Sequence, residues 1–316
     1  MSQTTASYAV ERPHEPIDEL DRAVAERSLS AYAWRQFVRH RLAVAGVVVF
    51  SFLVLATIVG PMLDPEPTDA IDFAQALQGP SAGHPFGTDD LGRDILARAL
   101  LGGRVSIAVG VTTMLVAIFL GTLIGAIAGF FGGTTDVVLM RMTDVFLSLP
   151  QLPLLLMTIY LFRDPLRASF GPELGIFILI VVLIGAFNWM GLARLVRASF
   201  LSVRQREFVI AAEALGVGNG RIIARHILPN VLSPVIVAAT LAIGAAIITE
   251  SALSFLGLGF PPDVPTWGRL LYDAQNFLDL APHWAIFPGL LIFLTVLSVN
   301  YVGDGLRDAL DPRRAP

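Results

Sequence analysis

Cysteine and lysine are both absent from the 316 residues. Without cysteine there is no disulfide framework, no thiolate nucleophile and no cysteine-based zinc site. Redox compartment is therefore unmarked. Without lysine there is no phosphate-binding loop of the G-x-x-x-x-G-K-[ST] type, and no Schiff-base chemistry. The chain is thus not itself a Walker-type ATPase. All 22 basic residues are arginine, a bias that a GC-rich genome also produces. Charge is scarce as well. Asp, Glu and Arg make up 15% of the chain, against about 25% charged residues in an ordinary soluble domain. Hydrophobic residues make up 54%, and the mean hydropathy is +0.67. These values exclude a soluble enzyme with a hydrated surface, and a disordered chain. A formal net charge of −4 leaves no basic footprint for nucleic acid.

Long charge-free runs are what the chain has instead. A helix crossing a bilayer needs about 20 apolar residues. Leu42–Leu63, Val105–Thr135, Leu174–Ala193, His226–Thr249 and Leu280–Gly303 contain no Asp, Glu or Arg. A sixth run, Val145–Phe162, reaches full length when Val137–Thr143 joins it across Arg141 and Asp144. The expectation is an all-α integral membrane protein with about six transmembrane helices, near 42–62, 105–129, 137–162, 174–195, 231–257 and 284–304. The first run lies too late and is too long for a cleaved signal peptide, and reads as an uncleaved anchor.

Arginine placement sets the expected orientation. Fifteen arginines fall in 1–41, 194–225 and 306–316, six in 93–104, 163–167 and at 269, with Arg141 set aside. The bias favours both termini in the cytoplasm. Segment 1–33 is then a mobile cytoplasmic stretch, and 34–63 an interfacial anchor (Trp34 and its arginines) with the first span. An outer loop covers 64–104, and a five-helix core covers 105–305. A cytoplasmic tail covers 306–316.

The inner loop at 197–230 carries a short amphipathic pattern. Phe208, Ala211, Ala212 and Leu215 share a helical face, with Glu207 and Glu213 off it. Gly216 follows where a left-handed cap is expected. The face is rich in alanine, so it buries little area in lipid but permits close approach of another backbone. Two readings stand: a surface helix lying on lipid, and a docking helix for a partner.

The order AAEALG, eleven further positions, then LP (Ala211–Gly216, Leu228, Pro229) resembles the EAA loop of ABC importer permeases. HPFGTDDLGRD, MRMTDVFLSLP, REFVIAAEALG, RHILPN, ESALSFLGLG and GDGLRDALDPR, in that order, are similar to the C-type permease subunit of dipeptide, oligopeptide and nickel importers. The resemblance runs from about Arg35 to Arg313. It implies a type I ABC importer permease fold in a prokaryotic inner membrane. It implies a B-type permease as heterodimer partner, two cytoplasmic ABC ATPases that hold ATP and Mg, and an extracytoplasmic substrate-binding protein. No cofactor or metal is implied in this chain. The inner loop would be the coupling helix, with Ala211, Ala212 and Gly216 carrying the family pattern and Glu207 and Glu213 as weaker contacts. One position departs: the family often has Glu where this chain has Ile210.

Three charges sit in expected spans. Arg141 and Asp144 are spaced to pair on one face, and Asp144 would lie about 10 Å deep. A charge at bilayer centre costs about 2.5–3.5 kcal/mol on insertion scales. The pair reads as a path or gate contact, or as a structural pair inside the bundle. Pro150 and Pro153 should kink that span. Glu250 would lie about 29 Å from Val231, as an outer-vestibule or interfacial carboxylate. In the outer loop, His84, Gly87, Asp89, Gly92, Arg93 and Asp94 fit no metal-ligand spacing. They suggest a folded turn before a helix starting near Asp89 or Asp90, with a structural or docking role. The resemblance places this segment where a binding protein would approach.

The competing function is a secondary, ion-coupled transporter, which would need a coupling-ion site at the midplane and usually an internal repeat. An intramembrane enzyme would need a H-E-x-x-H, an aspartate pair within spans or a nucleophile elbow, and none is present. A channel would need a repeated polar filter. Within the family, nickel and glutathione are the alternative solutes to di- and oligopeptides.

Overall fold

Charge-free runs of this length leave the backbone one economical solution in lipid, since every N–H and C=O must be paired within its own segment. The computed structural model adopts it. It describes residues 29–63 and 70–310, whose regular structure is helical apart from one isolated β-type bridge, Thr88 with Asp94, among the described residues. The expectations for the N-terminal stretch, for the first part of the outer loop at 64–69 and for most of the C-terminal tail lie outside the described residues.

The order is α1 (Leu29–Arg39), α2 (Arg41–Leu63), α3 (Ile95–Phe131), α4 (Gly133–Ser148), α5 (Gln151–Phe170) and α6 (Pro172–Arg204). Then come α7 (Glu207–Ala214), α8 (Asn219–Phe255, including a π-helical stretch at Ile222–Ile227), α9 (Trp267–Ala274) and α10 (His283–Leu310). α2, α3, α6, α8 and α10 are long and apolar enough to cross a membrane. The α4–α5 pair makes a sixth span if counted as one, bent by 85°. The expected span 137–162 is therefore broken rather than merely kinked. Pro150 has no N–H to continue α4, and the residue before a proline is steered out of the α region. Leu149 is accordingly extended, with φ −81° and ψ 139°.

Three helices run further than hydropathy showed. α3 begins at Ile95 because the Asp94 carboxylate accepts from Ala97 N at 2.8 Å, the usual N-cap contact. The helix thus starts neither at Asp89 nor at Asp90. α6 continues through the charged segment 197–204, and α8 begins at Asn219. Trp34 at the start of the chain's described part is 68% exposed.

The bundle is organised on α3 and α6. Gly121, Gly125 and Gly129 recur every four residues along one face of α3. A Cβ at Gly125 would stand 2.5 Å from the Ala193 carbonyl oxygen, and one at Gly129 2.6 Å from Phe200 Cβ. Small residues at this spacing let two helix backbones approach, which substitutes van der Waals packing for the missing hydrophobic drive in lipid. α6 also packs on α5 through Leu155, Ile159, Ile176 and Ile180, all buried. α2 packs on α10, where Gly46 lies under the Ser298 carbonyl.

Gly125→Leu should force these helices apart, at a cost of at least about 1–3 kcal/mol. Thermal stability in detergent should fall sharply, whereas Gly191→Ala, which meets nothing within 4 Å, should leave it unchanged. Equal stabilities of the two variants would contradict the seam.

Candidate functional site

The inner loop folds as a helix of eight residues, α7, with a defined stop. Val217 N donates to Ala212 O at 3.1 Å and Gly216 N to Glu213 O at 2.9 Å. This is the Schellman pattern, and Gly216 at φ +77° supplies its left-handed residue. The face turned toward the chain's own helices takes Ala212 from the expected set and adds Val209. Val209 and Ala212 turn inward, at 0% and 6% exposure, onto Phe200 and Val203 of α6 and Ile222 and Ile227 of α8. Phe208, Ala211 and Leu215 are exposed instead, with Ile210 and Glu207 beside them. The reason is packing priority. One valine side chain fully buried is worth about 2 kcal/mol, and Val209 with Ala212 fits the shallow notch between two helix ends. The result is a short apolar ridge, Leu215 being 84% exposed, on a base that cannot rotate.

Leu228 and Pro229 lie where the π-helical stretch returns to α geometry. Pro229 has no N–H, so one α-type bond is lost there, and π-type turns are a usual accommodation. Asn230 Nδ2 donates to the His226 carbonyl at 2.8 Å beside this change of register. Leu228 is partly buried against the same cluster as Val209.

The opposite end of the bundle holds a charge network. His84 Nδ1 lies 2.8 Å from Asp94 Oδ2, and Nε2 lies 2.6 Å from Gln75 Oε1. Asp89 is wholly buried, accepting from Leu91 N and Arg93 N at 2.9 Å and from Arg93 Nε at 2.6 Å. Arg98, 1% exposed, stands 4.0 Å from Asp89 and 3.9 Å from Asp273, and Arg269 pairs with Asp273 at 2.8 Å. The loop and α9 are thereby stapled to the start of α3. Gly87 and Gly92 both have positive φ, and a Cβ at Gly92 would overlap the Asp72 carbonyl. Among the described residues no three His, Asp or Glu side chains converge as a metal-binding group.

Glu250, expected as an outer-vestibule or interfacial carboxylate, is enclosed by protein. It is 0% exposed within the protein. Ser254 Oγ donates to it at 2.7 Å and Ser106 Oγ at 3.1 Å, while Ser106 Oγ accepts Trp267 N at 3.2 Å. This knot joins α8, α3 and α9. Depth counted along one helix missed it, because α9 and its approach fold back over the helix end and cover the group.

Arg141 and Asp144 do not pair with each other as the spacing suggested. Asp144 pairs with Arg194 of α6, both about half exposed, and Asp136 pairs with Arg197. Arg141 is exposed, and no ion pair of its own is seen among the described residues. The 85° bend aims α4 across α6, so contacts between the helices replace the local one. Arg194, Arg197 and Arg204 were legible only as topological charges. Arg194 and Arg197 meet carboxylates 50 and 61 residues away, and Arg204 reaches the Phe130 carbonyl 74 residues away, none of which a local pattern reveals.

The fold is a bundle of membrane-length helices with one broken span and an exposed apolar ridge at one end. Residues 121–316 match the model of the binding-protein-dependent transport system inner membrane component, and residues 28–80 that of the N-terminal TM domain of oligopeptide transport permease C. The dipeptide transport system permease protein DppC of Alkalihalophilus pseudofirmus is 41% identical over 281 residues, 89% of each chain. The oligopeptide transport system permease protein OppC of Haemophilus influenzae is 38% identical over 315 residues, 99% of this chain and 97% of its own length. The glutathione transport system permease protein GsiD of Pectobacterium atrosepticum is 38% identical over 281 residues, 89% of this chain and 90% of its own. The chain belongs to the family of inner-membrane components of binding-protein-dependent transport systems.

Asp90 offers a pH test of the loop end. Burial, then the neighbouring Asp89 charge, holds its carboxyl above the ordinary carboxylate range. An acid whose pKa rises on folding favours the folded state while protonated. That contribution is lost as pH climbs from the unfolded value through the folded one. Asp90→Asn should therefore raise the detergent melting temperature at pH 7 and change nothing near pH 3. An equal gain at both values would contradict the assignment.

Proposed function

We propose that this chain is the C-type permease subunit of an ATP-driven importer of di- or oligopeptides. A B-type permease completes the solute path, two cytoplasmic ABC ATPases hold ATP and Mg, and an extracytoplasmic binding protein delivers the peptide. Both termini are cytoplasmic in this reading, by the arginine bias. α7 then faces the ATPases, and the His84–Asp94 loop faces the binding protein. No covalent chemistry occurs in the chain. The relatives' names support peptide as solute: dipeptide and oligopeptide permeases match over 89% and 99% of this chain. Glutathione, itself a small peptide, is the solute named for a relative of similar identity.

The observation that carries the reading is α7. Its inward face is fixed by Val209 and Ala212, and its outward face presents Phe208, Ile210, Ala211 and Leu215. An apolar ridge held rigidly outside the spans fits docking into a groove of a separate subunit, and the chain has no lysine for a nucleotide site of its own. Ile210 makes that contact apolar where the family pattern often has a carboxylate. Alternating access follows when motion of the docked subunit shifts the ends of α6 and α8, which α7 joins. Asp144 with Arg194, next to the break in the fourth and fifth helices, is the path-facing pair in this account. Lipid would penalise a half-exposed ion pair at this depth, whereas water in a path would not. Glu250 braces the outer end, and Arg141 lies by the membrane surface.

Replacing Gly216 by Val forces a β-branched residue to a positive φ and should unseat the stop of α7. Peptide uptake by whole cells should fall at least about tenfold with the protein still present in the membrane. Undiminished uptake in that variant would overturn the docking assignment.

A further inference from the structure

We infer that Arg204 is a positioning residue for α7, holding Glu213 back from the docking surface and tying α7 to the end of α3. The inference rests on the reading of α7 as the docking helix and deepens it. Arg204 is the last residue of α6, three positions before α7 begins. Its Nη1 donates to the Phe130 carbonyl oxygen. That carbonyl belongs to the last turn of α3, whose final C=O groups have no partner within the helix. The guanidinium carbon lies 5.1 Å from the centre of the Phe130 ring, a cation–π distance. Nε stands 3.7 Å from Glu213 Oε1. One side chain of α6 therefore touches two further elements, α3 and α7.

The backbone of α7 approaches α6 and the π-helical stretch of α8. Arg204 adds α3, the helix whose glycine face is locked to α6. Load on α7 then enters the α3–α6 pair at its joined ends, and Asp136–Arg197 and Asp144–Arg194 pass it on to α4. A planar guanidinium suits this post, because it can donate, stack and pair at once, which an ammonium cannot. Glu213 thereby has an inward task. The acid of the loop serves as a strut, and the ridge that meets the partner is apolar.

The test uses the whole complex, purified with its ATPase subunits and reconstituted in liposomes with binding protein and a tripeptide. The readout is peptide imported per ATP hydrolysed. Arg204→Gln and Glu213→Gln should each lower this ratio by roughly fivefold, the scale of one partly exposed ion pair, with the ATPase subunits retained. The double variant should be no worse than Arg204→Gln alone, since Glu213 acts through Arg204. Arg204→Lys, which keeps charge without the planar fork, should fall between, and it serves if Arg204→Gln does not accumulate. Release of the ATPase by Glu213→Gln, or single effects that multiply, would place Glu213 on the docking surface and overturn the inference. An unchanged ratio in Arg204→Gln would do the same. A wild-type complex that carries no ATPase at all would instead refute the docking reading.

Discussion

The close approach of α3 and α6 is the constraint on which the rest depends. In lipid, apolar side chains gain nothing by leaving the solvent, so helices associate where backbones can come near. Gly121, Gly125 and Gly129 provide that nearness, and the facing residues Leu192, Ala193, Val196 and Phe200 fill it. The pair fixes two helix ends side by side. The end of α6 forms, with α8, the notch that receives Val209 and Ala212, and the end of α3 brings Phe130 within reach of Arg204. Without the seam, α7 would be an eight-residue helix with nothing beneath it. Helices that short are marginal in isolation.

Charge is rare in this chain, and its placement divides the molecule by task. At the loop end, Asp89, Arg93, Arg98, Arg269 and Asp273 are buried or half-buried and mutually paired. A network of that kind fixes a geometry rather than adding much stability, because desolvation offsets most of the attraction. At the α7 end, the charges sit on long, partly exposed arginine side chains that bridge helices. Between them lies the broken span, bent by 85° at Leu149–Pro150. A stiff end, a bridged end and a bend between them suit a subunit that transmits motion from one membrane face to the other.

The sequence showed the class of fold clearly, for a physical reason. Charge-free length is a local quantity, and five of the six expected spans correspond to long helices, with the sixth divided by Pro150. The family pattern was legible as well, since its blocks recur in order along nearly the whole chain. What the sequence hid was every feature set by contacts between distant residues. The face that α7 buries depends on the notch between α6 and α8. Helical spacing alone grouped Ala212 with Phe208 and Leu215, which the fold exposes. The i, i+3 spacing of Arg141 and Asp144 suggested a pair that the bend of α4 dissolves in favour of Arg194. Glu250 looked interfacial because distance along one helix cannot reveal that Thr266 and Trp267 fold over it. Gly216 was read from local rules alone, and left-handed stops are local structure.

The most direct test of the account is extraction of the tagged protein from its native membrane in mild detergent, followed by mass spectrometry of what accompanies it. The account predicts a second permease subunit of similar span count and Walker-type ATPases, with ATP hydrolysis that a peptide-loaded binding protein stimulates. Recovery of the chain alone, folded and able to move solute across liposomes without ATP, would contradict it.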